Sequence, residues 1–129
     1  LPENVKAIIA DCGYTSEWDE FKCEANALHI PWFPVLNAAS VMSRLRDGYD
    51  FKQASALAQV KKSHIPTLFI HGSSDELVPY SMLGELYAAA ACEKEELTVE
   101  GAGHALSSSV APTLYWRTVE DFIAKHLDR

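Results

Sequence analysis

The run Thr67-Leu68-Phe69-Ile70-His71, closed by Gly72, is apolar on consecutive residues rather than on alternate ones. Side chains on a strand point to opposite faces in turn, so an unalternating run needs cover on both sides. A parallel sheet with helices packed on both faces supplies that cover. Val5-Lys6-Ala7-Ile8-Ile9-Ala10 is β-branched and apolar apart from Lys6, and Leu97-Thr98-Val99 before Gly101 is a third strand-like segment. Helical stretches separate the three, so the expected class is α/β. Three strands make a sparse sheet, and the first is expected to present an unpaired edge, a liability that natural domains cover. A partner for that edge is expected, whether more sheet or a second copy of the chain.

Caps and periodicity define the helices. Ser16-x-x-Asp19 has the form of a capping box, opening a helix through about Leu28 with Trp18, Phe21, Ala25 and Leu28 on one stripe. Pro31 ends it. Pro34 suits a first helical position, and Leu36, Ala39, Ser40, Met42 and Leu45 carry a second helix to about Asp47-Gly48. Asp50 with Gln53 is expected to open a short third helix ending near Val60. Pro79 starts a fourth, through about Ala91, and Pro112 the last, with Tyr115, Val119, Phe122 and Ile123 inward. Glu93 to Glu96 reads as a solvated turn. Three helices between the first two strands, at about 16–62, exceed what one crossover needs, and insertions of that size usually serve as lids or binding elements.

Composition narrows the function classes. With 129 residues, 48% hydrophobic and 22% charged, the chain is long and apolar enough to bury a core. Its formal net charge of −7, with basic residues scattered singly or in pairs, argues against a nucleic-acid backbone as partner. Cys12, Cys23 and Cys92 are odd in number and lack C-x-x-C spacing, so neither a disulfide framework nor a zinc site is expected. No apolar run approaches the roughly 20 residues of a membrane span, and no signal-peptide layout is present. The expected compartment is the cytoplasm. Leu1-Pro2-Glu3-Asn4, followed at once by a strand-like run, reads as a cut within a larger fold.

Two segments carry chemistry. Asp75 follows the central strand in His71-Gly72-Ser73-Ser74-Asp75-Glu76-Leu77-Val78-Pro79, and His104 follows the third strand in Gly101-Ala102-Gly103-His104-Ala105. An imidazole acting as general base needs a carboxylate to hold its other nitrogen as a donor, and open α/β sheets place such groups at the C-terminal ends of strands. The two glycines before His104 are expected to allow tight turns that project the ring. Asp11, at the end of the first strand, is a rival for the acid role. His71, His64 and His104 with Asp75 show no metal-ligand spacing, so no metal is expected.

The segment from Ile65 to Pro79 resembles the h-P-x-L-x-I-H-G-x-x-D-x-x-V-P loop of α/β hydrolases, and Gly101-Ala102-Gly103-His104 resembles their histidine loop. The resemblance is to the C-terminal half of the fold, among bacterial serine hydrolases similar to esterases, acyl hydrolases and serine aminopeptidases. It implies that Asp75 and His104 are the acid and base of a Ser-His-Asp triad, that no cofactor is needed, and that the substrate is a small acyl compound. No G-x-S-x-G segment is present, so the nucleophile and oxyanion hole would come from a missing N-terminal half, and the chain alone would be inactive. Trp18, Phe21, Trp32, Phe33 and Met42 of the insertion are candidates for an acyl pocket, set against the plainer reading of core. A non-catalytic α/β module that binds a partner or self-associates through the open edge, and a peptidase of the same superfamily, are the alternatives.

Overall fold

All six residues of the central strand, Thr67–Gly72, are buried, as its unalternating sequence requires. The computed structural model describes residues 3–127; Leu1 and Pro2, part of the expected boundary, lie outside the described residues. The elements are β1 (Ile8–Asp11), α1 (Glu17–Ala27), α2 (Trp32–Asp47), α3 (Ala56–Val60), β2 (Thr67–Gly72), α4 (Ser81–Ala89), β3 (Lys94–Val99), α5 (Ser107–Val110) and α6 (Pro112–Leu127). The sheet is parallel, in the order β1-β2-β3, with Asp11 opposite Ile70 and Gly72 opposite Val99. The three strands therefore deliver their C-terminal ends to one rim. Among the described residues the outer edge of β1 has no ladder partner.

Each face of β2 has its own layer. Leu68 and Ile70 pack on Tyr115, Val119 and Phe122 of α6, the stripe expected from its periodicity, with Ile123 partly buried beside them. Phe69 points the other way, into Leu83 and Leu86 of α4, Ala90 just after it, and Leu57 and Val60 of α3. Fully burying one such side chain contributes about 1.5–3 kcal/mol, so these two clusters clamp β2 from both sides. No helix of the described residues is long and apolar enough to cross a membrane.

Several boundaries differ from expectation, each for a local reason. The Ser16 hydroxyl caps α1, accepting the Asp19 N–H at 3.1 Å, while the Asp19 carboxylate accepts the Ser16 and Thr15 hydroxyls. That helix ends at Ala27, leaving Leu28 past it and 70% exposed rather than on the buried stripe. Helix α2 starts at Trp32, so Pro34 is its third residue, where a missing N–H still costs no intrahelical bond. Asp50 opens a turn, not a helix, its carboxylate accepting the N–H groups of Lys52 and Gln53; Ser55 caps the shorter α3 instead. Tyr80 precedes the first residue of α4, two positions later than expected, and α5 was not foreseen.

The stretch read as a solvated turn is instead the start of β3. Lys94 and Glu95 sit in the strand because their charges are met elsewhere, while Glu96 turns to solvent. The Lys94 ammonium donates to the Tyr87 and Ala90 carbonyls at the end of α4, and Lys125 of α6 bonds Glu95 at 2.6 Å and Glu93 at 3.0 Å. Charge on an outer strand also discourages edge-to-edge pairing.

Candidate functional site

Asp75 stands three residues beyond β2, its side chain wholly buried. Its Oδ1 accepts the backbone N–H groups of Leu77 and Val78 at 3.0 and 2.9 Å. Its Oδ2 lies 3.0 Å from His104 Nδ1 and 3.2 Å from His71 Nε2. Burial is the largest influence on this carboxyl and pushes its pKa up. The N–H of Val78, the His104 ring and the N–H of Leu77 together outweigh burial and hold it below its ordinary value. The group is thus a carboxylate that only accepts. His104 Nδ1 must carry the hydrogen between them, which leaves Nε2 with the lone pair on a ring 38% exposed.

The loops bearing the two residues are locked by backbone contact. Ser74 N–H donates to the Ala102 carbonyl and Ser73 N–H to the Val99 carbonyl, both at 3.0 Å. A β-carbon on Gly72 would overlap the Ala102 carbonyl oxygen and lie 2.7 Å from its carbon, so only glycine permits this approach. Of the two glycines before His104, only Gly101 uses its freedom, at φ +73°; the second left-handed residue is Ala105, at φ 56°. Ala105 N–H donates to Cys12 Sγ at 3.2 Å, tying the histidine loop to the end of β1. Cys12, itself at φ 54°, is buried, and burial first, opposed by that N–H and aided by Asp11, pushes its thiol up to about 11.

Asp11 does not reach the imidazole. Its carboxylate accepts the Tyr115 hydroxyl at 3.0 Å and the Cys12 thiol at 3.3 Å, anchoring α6 to β1. Burial and then Asp11 push the Tyr115 hydroxyl above its ordinary value. From α1, Glu20 faces the pair: burial raises its pKa most, followed by Glu24, with His104 lowering and Asp75 raising it. Cys12, Asp75 and His104 bring ligand-type atoms within 4.8 Å of one another. The Asp75 carboxylate already accepts three N–H groups, those of Leu77, Val78 and His104, and His71 Nε2 approaches its Oδ2 to 3.2 Å. His64 lies at the opposite end of the sheet, before β2.

The five aromatic and sulfur side chains considered for an acyl pocket do not converge on one point. Trp18 and Trp32 meet edge to face at 6.4 Å, with Phe33 against Trp32 at 6.0 Å, whereas Phe21 packs on Phe51 at 4.9 Å. Phe33 and Met42 are exposed. A cavity of about 550 Å³ includes none of the five; it is lined by Ile8, Ala10, Val60, His64, Thr67 and Phe69, beside the N-terminal half of β1 and away from His104.

No protein-family model matches the chain. It is 31% identical over 116 residues to YqkD, an uncharacterized protein of Bacillus subtilis, covering 89% of this chain and 38% of that protein. It is 31% identical over 106 residues to human alpha/beta hydrolase domain-containing protein 17C, covering 80% and 32%. The chain thus spans between about a third and two fifths of these relatives' length. Among solved structures, the acylaminoacyl peptidase of Pyrococcus horikoshii matches 99% of this chain and 21% of its own, with a TM-score of 0.69 at 15% identity. The chain belongs to the α/β-hydrolase superfamily. It corresponds to the C-terminal portion of that fold, three parallel strands with flanking helices. As in open α/β sheets generally, the Asp75 and His104 loops of this α/β hydrolase lie at the C-terminal rim of the strands.

Three neighbours of the pair were given no role beside it from the sequence: His71, Cys12 and Glu20. The first had a usable signal, since His71 and Asp75 are four apart across a Gly72 turn that folds the chain back on itself. Cys12 follows a strand-end residue, as Asp75 and His104 follow theirs. Nothing in the helical pattern of α1 singled out Glu20.

Proposed function

We propose that this chain supplies the acid and base of a serine hydrolase that cleaves carboxylic esters or related acyl compounds, with the serine and oxyanion hole outside the sequence given. The observation that carries the reading is the His104 Nδ1 to Asp75 Oδ2 hydrogen bond of 3.0 Å, between a buried carboxylate and a half-exposed imidazole. The tautomer it imposes suits a base that takes a serine proton at Nε2 and returns it to the leaving group, the carboxylate stabilising the imidazolium between the two steps. No metal or cofactor enters this chemistry. The rest of the sheet would pair with the open edge of β1, beside which a cavity of about 550 Å³ leaves apolar wall uncovered. The insertion α1 to α3, with Trp18, Phe21, Trp32, Phe33 and Met42, would border the acyl group as a lid. Without the serine the chain is inactive by itself, and a cytoplasmic site of action suits its free cysteines.

In the complete protein, His104→Ala should abolish labelling by a fluorophosphonate probe, and undiminished labelling would sink the reading. Cleavage of acyl esters over peptides by the complete protein separates the esterase from the peptidase. The open β1 edge also favours a second reading, a module that self-associates. Light scattering on this chain distinguishes the two: a concentration-dependent dimer supports edge pairing, and a monomer opposes it.

A further inference from the structure

We propose that His71 is a positioning residue for Asp75, a fixed buried donor that sets the carboxylate's orientation and its pull on His104. This deepens the hydrolase reading and rests on it. His71 is completely buried at the end of β2. Its Nε2 lies 3.0 Å from the Val78 carbonyl and 3.2 Å from Asp75 Oδ2. Both neighbours only accept, so Nε2 carries the hydrogen; it donates to the Val78 carbonyl and lies close against the Asp75 oxygen. Its Nδ1 is buried with no hydrogen-bond partner among the described residues. A hydrogen on Nδ1 would be buried without an acceptor, so Nε2 is the nitrogen that donates.

A packing role alone does not account for this arrangement. An aliphatic side chain would fill the space without burying an orphan nitrogen. The ring instead makes two contacts with one purpose. Through the Val78 carbonyl it closes the turn whose Leu77 and Val78 N–H groups hold Oδ1, and it sets the positive end of its N–H dipole 3.2 Å from Oδ2, beside His104. The Tyr80 ring stands edge-on to it at 6.0 Å, its hydroxyl bonded to Thr98 Oγ1 at 2.8 Å. The titratable groups facing the Asp75 and His104 pair are then His71 and Tyr80, Cys12 after β1, and Glu20 on α1. Removing the His71 donor leaves the carboxylate more basic, so it retains the imidazolium proton of His104 more strongly.

The test uses the complete protein, with p-nitrophenyl acetate as substrate from about pH 5 to about pH 9. His71→Met removes the donor at similar volume, and His71→Gln returns an amide N–H at the reach of Nε2. The expected result for His71→Met is a roughly tenfold fall in kcat with little change in KM, and an acid limb of kcat/KM moved to higher pH. His71→Gln should restore both. Where His71→Met does not fold, His71→Asn, whose amide falls short of Asp75, takes its place in the comparison. An acid limb and kcat that stay at the parent's values in both the donor-free variant and His71→Gln would overturn the inference, leaving His71 a packing residue. Asp75→Asn and His104→Ala run alongside. Parent-like hydrolysis by those two would overturn the hydrolase reading itself, whereas their loss of activity with an unmoved donor-free variant overturns only the role of His71.

Discussion

All six residues of β2 are buried, whereas α2, sixteen residues long, buries only Leu36, Ser40 and Ser43. Phe33, Val41, Met42 and Leu45 of that helix are exposed. The strand finds both of its layers within this chain, α6 on one face and α4 with α3 on the other. The helix turns hydroxyls inward: Ser43 donates to the Tyr49 carbonyl at 3.0 Å, and Ser40 accepts the Phe51 N–H at 3.2 Å. Apolar content therefore decides burial where an element is flanked on every side. In an insertion braced by a loop, hydrogen bonding decides which face turns in.

The sharpest way to break this comparison is to empty each region in turn. Phe122→Ala, in the layer under β2, should cost about 3–5 kcal/mol, read as a fall in denaturant midpoint, because a close-packed site collapses poorly around the void. Gly72→Ala should cost about 2–3 kcal/mol, since the new carbon meets the Ala102 backbone and must push away the loop that carries His104. In the complete protein the same change should lower activity more than stability, and an unchanged kcat would show that the histidine loop tolerates displacement.

Glu20 joins the two regions and gives a pH-dependent test. Its folded-state pKa is raised above the ordinary 4.5, first by burial, so the folded chain holds that proton more tightly than the unfolded one. The resulting stability is present below pH 4.5 and lost as pH rises through the folded value. Glu20→Gln should therefore leave Tm unchanged at acid pH and raise it near neutrality, by less than about 1 kcal/mol of stability. A variant that loses Tm near neutrality would mean that the carboxylate is held by a favourable contact. Smallest of all, Leu45→Ser on the exposed face of α2 should change stability by no more than about 0.5 kcal/mol; a loss near that of Phe122→Ala would show that the face is covered in solution.

Much of this was written in short-range pattern. The unalternating run of β2, the Ser16 and Asp19 cap, the inward stripe of Tyr115, Val119 and Phe122, and the separation of Asp75 from His104 each depend on residues within a few positions, or on a strand end that must face one rim. They appear in the structure as expected. What misled were residues whose partners are remote. Lys94 and Glu95 looked like a solvated turn because Lys125, which bonds Glu95, is thirty positions away. Leu28 was placed on the stripe of α1 by spacing, and Met42 and Leu45 were read as carrying α2, yet all three are exposed, because periodicity cannot choose between two faces of a helix that is not enclosed.

The sequence by itself determined the class of sheet, the order of the five helices other than α5 and the two loops that present Asp75 and His104, because those follow from periodicity, capping and the polarity of a parallel strand. The tertiary structure alone decided that the imidazole meets Asp75 and not Asp11, that His71 and two backbone N–H groups complete the carboxylate's shell, and that Cys12 holds the histidine loop. Hydrogen bonds act over about 3 Å, and only the folded chain brings His71 to 3.2 Å and His104 to 3.0 Å from Asp75, and Cys12 Sγ to 3.2 Å from the Ala105 N–H.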